Sequence, residues 1–591
     1  MDPKFLRTFQ SPTSQYRGAP FWAWNGTLEP EELRRQIRLM HRMGLGGFFM
    51  HSRVGLDTAY LSDRWFECVS ACVDEAEKLD MQAWLYDEDR WPSGAAGGLV
   101  TKNPKHRMRS LVMRQLGAPK DLQWTTDTLA AFTARIDGRT ARDIKRIARG
   151  RRPPKLTRGE SILVFAVETD KCNSWYNGYT YLDTMSHEAV RQFIRITHEA
   201  YRKHCGPQLG QRIPGIFTDE PNHGTMMARD RVAGAPDAFR TAWTPKLPRV
   251  FKNRYGYDLI PRLPELFFDV DGRVVTPARV DYHDCTTFLF VDAFARQIGE
   301  WCDKNKMQHT GHVLSEDALS HQTKDVGSCM RFYEYMQAPG IDLLTEYWRI
   351  FDTAKQCASA ARQFGRKWRL SETYGCTGWD FPFRGHKALG DWQVALGINL
   401  RAQHLAWYTM LGEAKRDFPA SISYQSPWWE SYAKVEDYFG RILTVMTRGR
   451  EVRDLLVVHP VESMWALFRA NWGEDPAVQR LDRSIVDLRD TLLTAHLDFD
   501  YGDEDILARH AAVGKAGGSP VLKVAKAAYK AVVVPPMVTI RGSTLRLLKR
   551  FRDAGGTVVF AGAPADHVDA RPSAAAADLA RACARAPATG A

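Results

Sequence analysis

The chain has 591 residues, 44% hydrophobic and 25% charged, and its 81 Lys and Arg against 69 Asp and Glu leave a formal charge of +12. That balance excludes a disordered or collagen-like chain. No apolar run approaches the ~20 residues of a membrane span, and the N-terminal segment has no apolar core of a signal peptide, so the sequence predicts a cytoplasmic protein without membrane association.

The charge excess is local. Residues 101–160 hold 16 Lys and Arg against 5 Asp and Glu, a net of +11 that leaves +1 for the rest of the chain. Ten Cys are scattered without CxxC pairs or a Cys/His zinc spacing, which predicts reduced and mostly buried thiols. With 18 Trp, 28 Phe and 20 Tyr there are rings enough for a large core and for a binding surface besides.

In chain order, FWAWNG reads as a first strand. The segment 29–43 spaces Leu33, Ile37 and Met40 as an amphipathic helix, with Pro30 in its first turn and Gly44 as its stop. GGFFMHSR is a second strand, 62–79 a helix capped by Ser62, and MQAWLYDEDRW a third strand running into a loop. Between 101 and 181 the rhythm breaks into β-rich segments around the basic RIARGRRPPKLTRGE. It resumes with a helix over 186–205, strand IPGIFTDE, a helical excursion to Lys304, and strands MQHTGHVLSED, GIDLLTEY and WRLSETYG separated by helices. A helix over 392–404 and LAWYTM complete eight βα units.

Eight such units predict an α/β fold of the (β/α)8 TIM-barrel type over 1–448, with a β-rich basic insertion over 101–181 after strand three. Residues 449–565 alternate apolar strands with helices and predict a flavodoxin-like α/β domain. It carries no GxGxxG or Walker loop, so no organic cofactor is expected, and a structural role or homo-oligomer contact is. The Ala-rich 566–591 is expected to be a frayed tail.

Chemistry in such a barrel belongs at the C-terminal strand ends. There the sequence places Trp24, then His51 and Arg53, then Asp87 and Trp91, then Asp219 and Glu220. His312 and Glu316 follow on strand five, Glu346 and Tyr347 on strand six, Glu372, Tyr374 and Trp379 on strand seven. Crowded carboxylates push their pKa values apart, so one stays protonated while another ionises, which is the division general acid and base catalysis needs. Trp24, Trp91, Trp379, Tyr347 and Tyr374 offer faces for sugar rings, and His51, Arg53, Asp87, Asp219 and His312 offer hydroxyl partners. The competing use of the acids is a divalent metal, Ca2+ or Mg2+, held through oxygen by Asp87, Glu88 and Asp89 with nearby Glu residues, although DED is no EF-hand loop. With an acidic mouth and the basic charge confined to an insertion, nucleic acid is not an expected partner.

The segments FWAWNGTLEPEELRRQIRLMHRMGLGGFFMHSRVGL, WLYDEDRWPSGAAGG, GIFTDEP, TGHVLSED and LSETYGCTGWDFPFRGHKALGDWQVALGINLRAQHLAWYTM resemble, in order, the barrel of glycoside hydrolase family 106, the α-L-rhamnosidases. The resemblance implies hydrolysis of a terminal sugar from an oligosaccharide or glycoside, an acidic catalytic pair, and a calcium ion that helps hold the sugar hydroxyls. It makes Glu220 the general acid. Its partner is Glu372, placed where related barrel glycosidases carry their second carboxylate, or else Glu316. The resemblance implies inversion; a retaining β-galactosidase-type barrel and a catalytically silent carbohydrate-binding barrel remain as alternatives. Because the basic insertion leaves from strand three, Arg146, Arg149, Arg151 and Arg152 are expected to favour an acidic neighbouring sugar.

Overall fold

The computed structural model describes residues 3–151, 153–230 and 238–587. Its largest sheet is parallel and nearly closed. The strands are β1 (Phe21–Gly26), β2 (Gly47–Leu56), β3 (Gln82–Tyr86), β4 (Gly215–Thr218), β5 (Gln308–Gly311), β6 (Ala338–Asp342), β7 (Leu370–Thr373) and β8, which runs as two pieces, Leu400–Gln403 and Ala406–Trp407. The first piece of β8 pairs with β7 and the second pairs with β1 through Trp22 and Ala406, which brings the sheet back to its starting strand.

Alternation along each strand sorts its side chains between two cores. Phe21 and Ala23 of β1 point inward and meet Phe49, Trp84, Tyr86, Phe217 and Trp407 in the barrel interior. Trp22 and Trp24 point outward, where Leu33, Ile37 and Met40 of the helix Pro30–Arg42 cover them. Ser62 caps the helix Asp63–Lys78 by accepting the Trp65 N–H at 3.2 Å.

Strands Arg109–Leu116, Thr128–Asp137, Thr140–Ile147 and Glu160–Thr169 form an antiparallel sheet between β3 and β4. The expected helical excursion after β4 is corrected in part: Ala238–Trp243 is a strand that pairs antiparallel with Arg109–Arg114, and Asp269–Val270 joins the far edge of the same sheet. AFRTAW is a run of six bounded by polar residues, too short for a helix to bury one face yet long enough to complete a sheet edge.

From Leu455 on, a second parallel sheet follows. Leu455–His459, Phe499–Asp503, Ala531–Val534, Thr557–Ala561 and Ala584–Ala586 lie in the spatial order second, first, third, fourth, fifth. The last strand corrects the frayed-tail expectation. Residues Ala575–Arg581 form a helix that buries Ala576, Leu579 and Ala580, and Ala584–Ala586 then pairs with Val559–Ala561. Small Ala side chains let this helix sit close to its neighbours, so the composition that suggested a loose end is what packs.

All ten Cys are free thiols, seven of them buried. No helix among the described residues is long and apolar enough to cross a membrane.

Candidate active site

The acidic side chains gather where β4, β5, β6 and β7 end. Asp219 follows β4; its N–H donates to Ser93 Oγ at 2.8 Å, and its Oδ2 accepts the Tyr86 hydroxyl at 2.6 Å. Glu220 comes next with φ +45°, a left-handed conformation that costs a non-glycine residue on the order of 1–3 kcal/mol. Ser315, Tyr374, Cys376 and Phe418, on the neighbouring loops, share positive φ. Such strain persists only where the surroundings over-determine it, and these five residues lie on loops at the carboxylate end of the barrel.

His312 is set by a close backbone approach. Gly311 has φ +112°, and a Cβ there would stand 1.9 Å from the Thr218 carbonyl, so only glycine lets β5 pass β4 with His312 turned inward. The His312 N–H then donates to Thr218 O at 3.2 Å. Its Nε2 lies 2.8 Å from Glu372 Oε2 and 3.5 Å from Asp219 Oδ1. One ligand atom each from Asp219, His312 and Glu372 fall within 4.8 Å of one another. Asp342 pairs in register with Glu372 across β6 and β7, and His404 Nε2 approaches Glu372 Oε1 at 3.3 Å from the break in β8.

Electrostatics divides these groups. Burial and the charges of Asp219 and Asp342 push the Glu220 carboxyl well above the usual carboxylate range. Burial also raises Glu372, against the hydrogen bond from His312, and raises Asp342, to which Glu372 adds like charge. Burial works to lower His312, but its bond to Glu372 and the charges of Glu372, Asp342 and Asp219 outweigh it and hold the imidazole charged at neutral pH. The carboxylate of Glu220 makes no hydrogen bond or ion pair among the described residues, whereas Glu372 is hydrogen-bonded to His312 on one oxygen and has the His404 imidazole 3.3 Å from the other. A free acid that keeps its proton therefore stands beside an ionisable carboxylate fixed in place.

On the opposite wall His51 stacks on Tyr86 with ring centroids 3.8 Å apart and has Nε2 3.2 Å from the Arg53 guanidinium. Burial and Arg53 push His51 well below its ordinary pKa, so it is neutral. Arg53 makes two 2.9 Å bonds to Asp417 and lies 4.2 Å over the Trp91 ring. Trp91 also meets Trp175 edge-on at 4.9 Å, and Phe418 packs against His404 at 5.1 Å. Trp379 is half-buried and donates its Nε1–H to the Lys415 carbonyl at 2.9 Å, on the same loop as Asp417.

Four expected binding residues and one expected catalytic residue lie otherwise. Trp24 is fully buried on the helix side of β1 against Trp22 and Trp65, because alternation turns it away from the barrel axis. Asp87 has the same fate one residue past Tyr86: Ser93 and Thr218 donate to it at 2.5 and 2.6 Å, which makes it a brace between β3 and β4. Tyr374 is buried with its hydroxyl on the His386 carbonyl at 3.1 Å, and Tyr347 is 82% exposed beyond the end of β6. Glu316 accepts the Tyr333 hydroxyl at 2.9 Å and the Asp342 N–H at 2.7 Å, so both its oxygens serve the wall of the barrel. Burial pushes its pKa to about 8, which suits a neutral brace.

Asp342, His404 and Asp417 were not among the sequence candidates. Trp91→Ala is accordingly expected to raise KM for a glycoside several-fold with little change in melting temperature. Trp24→Ala is expected to cost ~3–5 kcal/mol of stability and to leave KM of the folded fraction unchanged. Melting curves alongside saturation kinetics check both, and the reverse pattern would return Trp24 to the binding surface.

A parallel barrel that gathers unequal carboxylates at its C-terminal mouth beside an aromatic rim defines the class of barrel glycosidases. The comparisons make it specific: the model of the α-L-rhamnosidase family, glycoside hydrolase family 106, matches residues 176–582, and the chain belongs to that family. A curated relative from Formosa agariphila, named "Putative beta-glucuronidase", is 21% identical over 506 residues, 76% of this chain; the chain spans 42% of that protein's length. The rhamnosidase of Novosphingobium sp. PP1Y has a similar fold, with a TM-score of 0.67 at 15% identity over 98% of this chain and 71% of that one. A β-galactosidase of Bacillus circulans sp. alkalophilus is similar at a TM-score of 0.54 and 12% identity, over 94% and 72% of the two chains.

Proposed function

We propose that the chain hydrolyses a terminal α-L-rhamnoside, with Glu220 protonating the leaving oxygen and Glu372 activating the attacking water. The observation that carries this reading is the pairing of an unbonded, proton-retaining Glu220 with a Glu372 hydrogen-bonded to His312. The α-L-rhamnosidase family match supports the choice of sugar, and the resemblance implies inversion. His312, charged and bonded to Glu372, keeps that carboxylate oriented and lowers its proton affinity. Arg53, Trp91 and Trp379 form the rim that seats the sugar. The C-terminal parallel sheet has the strand order 2-1-3-4-5 of a flavodoxin-like layer, which we read as a structural domain behind the barrel.

A calcium ion is compatible with these residues. Asp219, Asp342 and Glu372 offer oxygens, and Asp342 Oδ1 is buried without a hydrogen-bond partner. The imidazole of His312 is spent on Glu372, so a hard cation there would use carboxylate oxygens alone. Bound, it would offset the repulsion among these acids and hold sugar hydroxyls.

The test is a panel of aryl glycosides and oligosaccharides, with and without EDTA, followed by proton NMR of the released anomer. Turnover of α-L-rhamnoside with the inverted anomer appearing first is expected, with faster hydrolysis where the neighbouring sugar is acidic. Neutralising Arg146 and Arg151 should remove that acid preference. Arg149 already closes its own turn on the carbonyls of Thr125 and Thr128, and Arg152 lies outside the described residues. Turnover of another sugar alone would keep the class and discard the substrate.

A further inference from the structure

At the opposite end of the barrel from the carboxylates, a cavity of about 580 Å³ opens between the residues that precede β7 and β8 and the segment 446–451 that leads into the C-terminal sheet. Seven cationic side chains line it: Arg362, Arg366, Lys367, Arg369, Arg448, Arg450 and Lys526, against Glu451 as the one acid. We propose that this cavity binds a small polyvalent oxyanion of the phosphate type, a site separate from the sugar-binding mouth.

Ordinary structural roles account for part of this charge. Arg362 is paired with Asp500, and Arg369 with Glu451, which Arg453 also approaches at 3.4 Å. The helices Phe351–Phe364 and Ala433–Met446 both end at the cavity, and each C-terminus carries about half a negative charge that favours cations. Two half charges do not balance what is left. Arg366, Lys367, Arg448, Arg450 and Lys526 have no carboxylate within ion-pair distance among the described residues, so the net positive charge is on the order of four after both helix ends are counted.

Two buried donors sharpen the chemistry. Arg366 Nε and Arg369 Nε have no hydrogen-bond partner, and Arg369 is only 8% exposed. An unpaired buried N–H costs ~1–3 kcal/mol, a penalty that an oxygen-rich anion in the cavity would remove. Guanidinium groups suit planar, paired contacts with phosphate oxygens, whereas Lys367 rests its ammonium 4.4 Å over the Trp368 ring and contributes charge at the rim of the cavity. The volume admits a molecule with more than one phosphate group. Because the cavity joins the barrel to the segment before Leu455, an anion held there would tie the two together.

Thermal unfolding and calorimetry of the full chain test this with pyrophosphate, inorganic phosphate and sodium chloride at matched ionic strength. The expected result is a saturable rise in melting temperature at a stoichiometry of one, with pyrophosphate binding at least tenfold more tightly than phosphate. Arg366→Gln with Arg450→Gln should weaken pyrophosphate at least tenfold and leave glycoside hydrolysis in its absence unchanged. Arg450→Gln alone, at an exposed position, should weaken it several-fold with no loss of fold. An equal rise in wild type and variants, or one reproduced by sodium chloride, overturns the proposal whether or not rhamnoside is a substrate.

Discussion

Glu220→Gln is expected to lower kcat on an α-L-rhamnoside with a poor leaving group by ~10²–10⁴, the usual contribution of a positioned general acid. KM should change little, because Glu220 makes no bond that holds the site together. On an activated aryl rhamnoside the loss should shrink, since a phenolate of low basicity departs without a proton. Glu372→Gln should lose at least as much on both substrates, because water activation is needed whatever the leaving group. The pH profile separates the two roles. As the proposed general acid, Glu220 would work while protonated, so activity should fall as pH rises through its raised pKa, about 8 against an ordinary 4.5. As the proposed base, Glu372 would work while ionised, so activity should fall as pH drops through its own raised pKa, about 7. The two acids interact, so the limbs belong to the pair; both lie well above those of exposed carboxylates. Glu220→Gln should erase the alkaline limb and Glu372→Gln the acidic one. Hydrolysis as fast in both variants as in wild type would end the catalytic reading and leave a barrel that only binds carbohydrate.

The barrel was legible because β-strand and helix periods differ, and five separated segments resembled one family's barrel. Which face of a strand looks inward was less legible. In FWAW both sets of alternating residues are apolar or aromatic, so these four do not distinguish Trp24 from Phe21; Asn25, in step with Phe21, is the one polar hint, and the packing of the helix 30–42 over Trp22 and Trp24 decides it. A similar ambiguity put Asp87 at the mouth. Strand ends differ by a few residues with chemical consequences: GIDLLTEY reads as a strand through to Glu346 and Tyr347, whereas β6 stops at Asp342, a half-buried residue whose Oδ1 is buried. His404 was hidden at the end of a helix read over 392–404. That helix stops at Ala395, and Gly397, with φ +109°, was the available signal. Asp417 could not be found at all, because its partner Arg53 lies 364 residues away in the chain.

Arg331→Leu is expected to lower stability by ~3–5 kcal/mol, read as a lower urea midpoint. Arg331 is 5% exposed on its side chain and contacts Asp503 at 3.0 Å, Asp284 at 2.8 Å and Glu462 at 2.5 Å. Arg541 shares Asp284 and Glu462, each at 2.7 Å, and the Arg331 guanidinium lies 4.8 Å from the centre of the Trp465 ring. Barrel-side helices supply Asp284 and Arg331, and the C-terminal sheet and its helices supply Glu462, Asp503 and Arg541, so this cluster fastens the two parts. Leucine matches the stem of arginine but leaves three buried carboxylates around one guanidinium. Lysine should not rescue the variant, because a single ammonium cannot present the fork that reaches three acids. The sign with pH follows from the acids. Burial works to raise Asp284 and Asp503, but Arg541 and Arg331 hold both below the usual range, so their contribution is present above an ordinary Asp pKa of 3.8 and is lost as pH falls through the lower, folded values. Without Arg331 those values rise, and Glu462, which burial already holds at about 7, takes a proton more readily. The variant therefore recovers relative to wild type as pH falls, and its deficit should be smaller at pH 5 than at pH 8. A deficit below ~1 kcal/mol would show that solvent reaches the cluster. A deficit independent of pH would place its origin in lost packing on Trp465 instead of in unpaired charge.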